Sequence, residues 1–124
     1  MLAPMGPIAV TDQTFEAEVI RSALPVVVDF YADWSVPCRL GRSEFADASQ
    51  RLAGRVKFAT VNIDDAVRVT RTYGIRAVPT FLFVRAGHER GREVGPLTGP
   101  ELGRVVKRHF PARARSSAGR RASR

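Results

Sequence analysis

Cysteine is almost absent from this sequence: Cys38 is the only one in 124 residues. A single thiol cannot form an intramolecular disulfide, which excludes the disulfide-stapled scaffolds of small secreted domains. No apolar run approaches the roughly 20 residues that a membrane span requires. The N-terminal stretch MLAPMGPIAV also lacks the basic segment and apolar core of a signal peptide. We therefore expect a cytoplasmic protein that does not associate with a membrane.

Acidic and aromatic residues are missing from residues 111–124, PARARSSAGRRASR, whose five arginines supply five of the eight net positive charges. Arg, Ser, Ala and Gly cannot bury enough apolar surface to offset the entropy cost of ordering. We predict one domain over residues 1–110 and a disordered tail over 111–124. Such a tail can bind nucleic acid or an acidic surface, but without aromatic side chains it offers bases no stacking platform. A solubilising tail is the simpler interpretation, and no nucleic-acid partner is expected.

Strand patterns are present in four segments of the body. PVVVDFYA (25–32) and RVKFATVNI (55–63) are apolar on both faces, as strands covered on both sides are. TFLFV (80–84) precedes a turn at Ala86-Gly87 and a shorter, more polar partner at 89–94, which is typical of an edge strand. Asp29 lies within the first strand, where a carboxylate needs a structural or functional reason.

Helical patterns precede and follow the first strand. Thr11 and Asp12 are N-cap residue types before an amphipathic pattern that extends to Leu24. A second helix is predicted after the Cys38 region, with Leu40 on its buried side and Gly54 at its end.

Two further helices are predicted in the second half of the chain. Asp64 and Asp65 can cap a helix over residues 66–73. Thr98 and Glu101 stand at capping-box spacing at the start of the last helix. The resulting order, αβαβαββα, predicts an α/β protein with a parallel core and an antiparallel closing hairpin.

Four motifs of this chain resemble those of the thioredoxin family, in the family's order and spacing. They are VDFYADWSVPCR, VNID, YGIRAVPT and the pair Val94-Gly95. The resemblance covers about residues 8–110. It implies the thioredoxin fold, a three-layer α/β/α sandwich with a central mixed sheet of about four to five strands and a cis proline at Pro79. No cofactor and no metal are expected.

The resemblance also identifies a departure at the active-site turn. The family's disulfide exchange uses a thiolate at a helix N-terminus and a second thiol three residues later, which resolves the mixed disulfide. Here Ser35 occupies the first position, and Cys38 matches the second. A serine hydroxyl is not ionised without an adjacent base, so we expect Ser35 to cap the helix through the Cys38 N–H. Cys38 itself is expected to be a buried, unreactive thiol.

Asp29 matches the family's buried aspartate, which lies beneath the resolving thiol and assists its proton transfer. Burial would raise its pKa and suit that role, but it can equally be a polar core residue inherited with the fold. Three other positions depart from the pattern: Thr60 stands for a lysine, Ser43 for a proline and Val36 for a glycine.

The target-binding surface of the family is better retained. In the family, the backbone before the cis proline pairs with an extended peptide, which supplies affinity through main-chain hydrogen bonds. The matching positions here are Trp34, Val36, Pro37, Ala77, Val78, Pro79 and Gly95. The alternative is that Pro79 is only a structural turn and Trp34 is partly buried in the core.

Three hypotheses follow. In the first, the chain has a degenerate Ser-Val-Pro-Cys site and binds extended segments of partner proteins without dithiol reductase activity. In the second, it is an active thiol-disulfide oxidoreductase, either a monothiol enzyme using Cys38 or a natural CxxC protein in which Ser35 was engineered; thioredoxin reductase would then be a partner. In the third and weakest, the arginine-rich tail directs binding to nucleic acid or an acidic partner.

Overall fold

The protein is built on a five-stranded mixed sheet, seen in a computed structural model that describes residues 6–112. The strand order is β1-β3-β2-β4-β5. The first three of these are parallel, whereas β4 runs antiparallel to β2 and β5 antiparallel to β4. The strands are β1 (Ile8–Val10), β2 (Val26–Tyr31), β3 (Lys57–Asn62), β4 (Thr80–Arg85) and β5 (His88–Val94). The predicted α/β class and mixed sheet are confirmed, and β1 is a strand that the sequence patterns did not indicate.

Helices cover both faces of the sheet. They are a π-helical segment (Glu16–Ile20), α1 (Val36–Leu40), α2 (Arg42–Arg51), α3 (Val67–Thr72) and α4 (Gly99–His109). One apolar cluster joins the sheet to the π-helical segment and α3, and a second joins it to α2 and α4. Among the described residues, no helix has the length and apolar character needed to cross a membrane.

The alternation of side chains along β2 explains the position of Asp29. Val26, Val28 and Phe30 belong to the apolar cluster under α3, whereas Val27 belongs to the cluster under α2 and α4. Because successive side chains of a strand point to opposite faces, Asp29 lies on the same face as Val27. The carboxylate therefore faces the layer that contains the helix after Ser35.

The first helical region differs from its prediction. It is wound as a π-helix, with the Arg21 N–H donating to the Glu16 carbonyl at 2.9 Å. The segment has Phe15 at its N-cap and no side-chain cap. The Thr11 hydroxyl accepts the Gln13 N–H at 3.2 Å in the turn that precedes it, and the Thr11 carbonyl accepts the Phe15 N–H at 2.9 Å. Asp12 does not cap this segment. Its carboxylate crosses to α3.

At α3, the predicted capping by Asp64 and Asp65 is wrong. The Asp12 carboxylate accepts the N–H groups of Arg68 at 3.1 Å and Val69 at 2.8 Å, so the cap comes from 56 and 57 residues away in sequence. Such a carboxylate satisfies free donors of the first helical turn and complements the helix dipole. Asp64 is left available for another contact, described below.

The predicted second helix is two helices, because the helical structure is interrupted at Gly41 between α1 and α2. Gly41 adopts φ −89° and ψ 0°, and its N–H donates to the Pro37 carbonyl at 3.2 Å. Leu40, expected on the buried side, lies just before this interruption and is 75% exposed.

The closing part of the fold agrees closely with the sequence patterns. Ala86 and Gly87 both have positive φ, as a two-residue hairpin turn requires. The β5 strand is polar and lies at the sheet edge as predicted, although its seven residues make it longer than β4, not shorter. The Thr98–Glu101 capping box at the start of α4 is present in both directions.

Some predictions concern residues outside the described range. The predicted disordered tail, 111–124, lies there from Arg113 onward. The tail, the domain boundary at 110 and the cytoplasmic location stay predictions.

Candidate functional site

The sheet register brings the sequence-predicted site residues to one end of the molecule. Phe30 pairs with Thr80 across β2 and β4, and Tyr31 pairs with Asn62 across β2 and β3. The segment that follows β2 therefore lies beside the segment that precedes β4. The first contains Ser35 and Cys38, and the second is Ala77–Pro79.

Ser35 is the N-cap of α1. Its backbone is extended (φ −91°, ψ 118°), its Oγ accepts the Cys38 N–H at 3.3 Å, and Pro37 occupies the first turn, where its missing N–H costs nothing. The predicted cap is confirmed. Ser35 and Cys38 are each 6% exposed. The serine hydroxyl is thus engaged with the Cys38 N–H, and the Cys38 thiol is buried.

Cys38 and Asp29 line the same cavity, which has a volume of about 390 Å³. Asp29 is 9% exposed, and its Oδ1 has no hydrogen-bond partner within residues 6–112. Burial raises the pKa of Asp29 from its ordinary value of 3.8 to about 7, and the Arg42 charge opposes this shift. A carboxyl with such a pKa can exchange a proton near neutral pH.

The surroundings of Asp29 contain one basic side chain from α2. Arg42 lines the cavity, lies 3.8 Å from the Asp33 carboxylate and stands 5.9 Å from the centre of the Tyr31 ring. Thr60, which the resemblance places at a lysine position, pairs with Asp29 in the register of β2 and β3. The positive charge that acts on the Asp29 carboxyl is therefore Arg42 of α2, and β3 has the neutral Thr60 beside Asp29.

Trp34 forms an exposed aromatic surface beside the turn. Its side chain is 65% exposed, and its Nε1–H donates to Asp64 Oδ2 at 3.0 Å. The neighbouring Val36 and Pro37 are also exposed. The alternative of partial core burial for Trp34 is wrong, because Trp34 belongs to neither of the two apolar clusters. This leaves an apolar face open to solvent.

The segment before β4 presents backbone groups next to this face. The Val78–Pro79 peptide bond is cis. The Thr80 hydroxyl donates to the Ala77 carbonyl at 2.6 Å, and the Gly95 N–H donates to the Pro79 carbonyl at 2.9 Å. Neither the N–H nor the carbonyl of Val78 is paired with the backbone of a described residue. Val78 thus carries a donor and an acceptor that an extended chain could use.

We call this surface the Pro79 groove. It consists of exposed residues of the turn and of the backbone before β4 and after β5, where Pro79 itself is buried: Trp34, Val36, Pro37, Ala77, Val78, Pro79 and Gly95.

A small polar network fixes the turn, and sequence reasoning did not assign it. The Asn62 amide donates to Asp33 Oδ2 at 3.4 Å and accepts the Asp64 N–H at 2.9 Å. The Arg39 guanidinium donates to the Asp33 carbonyl at 2.7 Å. These residues lie within or next to the quoted motifs, but nothing in their spacing indicates which of them meet. Among the described residues, no three His, Cys, Asp or Glu side chains cluster as a metal site would need.

Comparison with known proteins agrees with this geometry. The thioredoxin family model matches residues 6–108. The chain is 36% identical over 101 residues to thioredoxin 1 of Nostoc sp., covering 82% of this chain and 94% of that protein. It is 41% identical over 86 residues to the thioredoxin of Rickettsia bellii, covering 69% of this chain and 82% of that protein. On its fold, its motifs and these relatives, the chain belongs to the thioredoxin family.

Proposed function

We propose that this thioredoxin-family chain binds extended segments of partner proteins at the Pro79 groove and does not run a dithiol-disulfide cycle. The observation that carries the proposal is the contrast within one site. Ser35 stands in place of one thiol and the other, Cys38, is buried, while the Val78 backbone is unpaired and Trp34 is exposed beside them.

Binding at the Pro79 groove requires no sulfur. An extended segment that pairs with the Val78 N–H and carbonyl gains main-chain hydrogen bonds whatever its side chains. The Trp34 ring offers a large apolar contact that loses little conformational entropy on binding. Its hydrogen bond to Asp64 holds the ring in place before a partner arrives. Affinity therefore rests on a preorganised edge and one aromatic side chain.

The dithiol cycle is lost because one of its two sulfurs is missing. The family's first thiol attacks a disulfide as a thiolate, and the second then displaces the reduced target. Neither histidine supplies Ser35 with a base. His109 is hydrogen-bonded to Glu93 at 2.8 Å and packs at a tilt against Phe83, and His88 begins β5 at the end of the sheet away from the turn. Its hydroxyl is also engaged as the α1 cap.

A second candidate function is thiol exchange through Cys38 alone, and the shared cavity with Asp29 favours it. Asp29 would take the Cys38 proton, and the Cys38 thiolate would attack a disulfide, forming a mixed disulfide and releasing one thiolate. A small thiol would then reduce the mixed disulfide and regenerate Cys38. The burial of Cys38 opposes this route, because a disulfide must reach the sulfur.

Binding is tested with S-carboxymethylated insulin B chain, an extended polypeptide without free thiols, by fluorescence anisotropy. We expect Trp34→Ala to weaken binding by about tenfold, the scale of a buried aromatic anchor. The matched control is Val67→Ala, which truncates an exposed apolar side chain of α3, outside the Pro79 groove. It should leave binding unchanged. Equal affinity of all three proteins would contradict the proposed groove.

The proposed absence of a dithiol-disulfide cycle is tested by measuring insulin reduction in the presence of dithiothreitol. The protein and its Cys38→Ser variant should both match dithiothreitol alone. Acceleration that disappears in Cys38→Ser would establish the second candidate function instead.

A further inference from the structure

A second surface of the molecule combines apolar contact with unpaired positive charge. It surrounds a cavity of about 700 Å³ between the end of α2, the start of β2 and one side of α4. Its charged lining residues are all basic: Arg51, Arg55, Arg85, Arg104 and Lys107. We call this surface the basic groove. No acidic residue is among its described lining residues.

Four of these side chains lack a carboxylate partner. Arg51, Arg55, Arg104 and Lys107 are exposed, and none is within ion-pair distance of a described acidic residue. Outside the groove, the described basic residues divide into two groups. Arg42, Lys57, Arg68, Arg92 and Arg108 are paired with carboxylates, whereas Arg21, Arg39, Arg71, Arg76 and Arg90 have no carboxylate within ion-pair distance. The Glu101 carboxylate, which Arg104 influences electrostatically, is engaged by the Thr98 N–H. The four cations of the groove are therefore not held in ion pairs, although Arg51 also lines a small neighbouring cavity with Glu44 and Asp47.

The floor of the groove is apolar. It is formed by side chains at the ends of α2 and β3 and on α4: Leu52 follows α2, Val56 precedes β3, Val106 lies on α4 and Phe110 follows it. Arg85 closes one end, with its guanidinium donating to the Pro111 carbonyl at 3.2 Å and standing 5.4 Å from the centre of the Phe110 ring. A ligand that fills the groove must therefore combine apolar groups with negative charge.

The chemistry favours an acidic protein segment over nucleic acid. Bases bind single-strand surfaces by stacking on exposed aromatic rings. Phe110, the aromatic residue of the groove lining, is buried. Carboxylates that alternate with apolar side chains fit both the floor and the rim. The chain's own residues 113–124 carry five arginines and no acid, so their charge makes them an unsuitable occupant.

The basic groove is separate from the Pro79 groove. Pro25, at the start of β2, lines the basic groove, whereas the active-site turn follows the other end of that strand. Six residues of strand span roughly 20 Å. One partner segment therefore cannot occupy both surfaces through a single short contact.

We propose that the basic groove docks an acidic, partly apolar segment of a partner protein, at a site distinct from the Pro79 groove. The groove recognises the segment by two complementary features. Its four unpaired cations attract the carboxylates, and its floor accepts the apolar side chains.

The probe for this proposal is a fluorescein-labelled peptide of alternating Glu and Leu, and the readout is anisotropy with the full chain. The groove variant is R51Q/R55Q/R104Q/K107Q. The control variant, R113Q/R115Q/R120Q/R121Q, removes the same number of charges from the C-terminal residues. We expect the groove variant to bind the peptide at least about tenfold more weakly, since four charge contacts are lost, and the control to stay within about twofold.

Three results would overturn the proposal. Equal weakening by the two variants would mean that net charge alone attracts the peptide. Equal binding of a peptide with Ser for every Leu would remove the role of the apolar floor. Equal competition by an oligothymidine of the same charge would identify the surface as a nucleic-acid site.

Two further measurements separate folding and the Pro79 groove from this result. The Lys107→Glu variant should bind a Lys-Leu peptide better than the unaltered chain does, and cooperative urea unfolding of each variant shows that it is folded. Trp34→Ala should leave Glu-Leu peptide binding unchanged. Loss of binding in Trp34→Ala would place the peptide in the Pro79 groove and contradict the proposal.

Discussion

The active-site turn and the Ala77–Pro79 segment lie side by side at one end of the sheet, but they differ in what they retain of the family pattern. The turn has Ser35 in place of the first thiol. The neighbouring segment keeps the motif residues before β4, with the Val78 peptide groups unpaired. Disulfide chemistry depends on particular atoms, whereas strand-like recognition depends on backbone geometry. Loss of one sulfur can therefore remove the first and leave the second intact.

The packing of the turn supports this distinction. The Ser35 hydroxyl accepts the same Cys38 N–H that would stabilise a thiolate at the helix start. Serine is close in shape to cysteine, so the cap and the burial of Cys38 are maintained without the reactive sulfur. The turn is thus a folded scaffold that supports the Pro79 groove.

The largest expected effect comes from restoring the sulfur. Ser35→Cys should raise the rate of insulin reduction over the unaltered chain by about a thousandfold, because a nucleophilic thiol and a resolving thiol are then both present. The new thiolate would be stabilised by the Cys38 N–H. The loss of disulfide chemistry at the turn would then be explained by one atom, the oxygen that Ser35 has in place of sulfur.

The control for this experiment is Ser35→Cys combined with Cys38→Ser. It carries one thiol in the first position and should form mixed disulfides with insulin without rapid turnover. If Ser35→Cys itself stays inactive, other departures such as Val36 or Thr60 also silence the turn, and the difference between the two regions is wider than one atom.

The buried side of the turn gives the next largest effect, through Asp29. Its folded-state pKa is raised to about 7, so its contribution to stability is fully present below pH 3.8 and is lost as the pH rises through 7. Between pH 5 and pH 8 the free energy of unfolding should fall by about 3 kcal/mol from this group. Asp29→Asn, which stays neutral, should lack that decrease.

Urea unfolding of both proteins at the two pH values measures this difference. All other titratable groups are common to the two proteins, so their effects cancel in the comparison. Parallel pH dependence of the two proteins would show that Asp29 is ionised in the folded state at pH 5, and that burial does not control its protonation.

Features determined by nearby residues were predictable from the sequence. The Thr98–Glu101 capping box and the Ser35 cap each join groups three residues apart, so residue type and spacing suffice. The strands β2, β3 and β4 were evident because they are apolar on both faces. The motif resemblance supplied the placement of Asp29 and the Pro79 groove, which no local pattern could give.

Features determined by distant contacts were not predictable. The Asp12 cap of α3 joins residues 56 and 57 positions apart, and local spacing favoured Asp64 and Asp65 instead. Leu40 is exposed and lies next to the break at Gly41, which a continuous helical pattern does not reveal. The basic groove brings together Arg51, Arg55 and Arg104 through packing of α2 against α4, so their charges appear unrelated in sequence.

The smallest expected effect tests the cap alone. Ser35→Ala removes the acceptor of the Cys38 N–H and should lower the free energy of unfolding by about 1 kcal/mol, the usual cost of losing an N-cap side chain. Ser43→Ala is the matched control, since Ser43 is an exposed serine in the first turn of α2, and that change should be near neutral. Urea unfolding compares the two variants.

If the two variants prove equally stable, the Ser35 hydroxyl does not stabilise the turn. That result would contradict the idea that the Ser35 cap maintains the scaffold of the Pro79 groove. If Ser35→Ala is destabilised but binds carboxymethylated insulin B chain unchanged, recognition by the Pro79 groove is independent of the α1 cap. That result would locate the binding determinants in Trp34 and the Val78 backbone, and the two neighbouring regions would be separable in function as well as in chemistry.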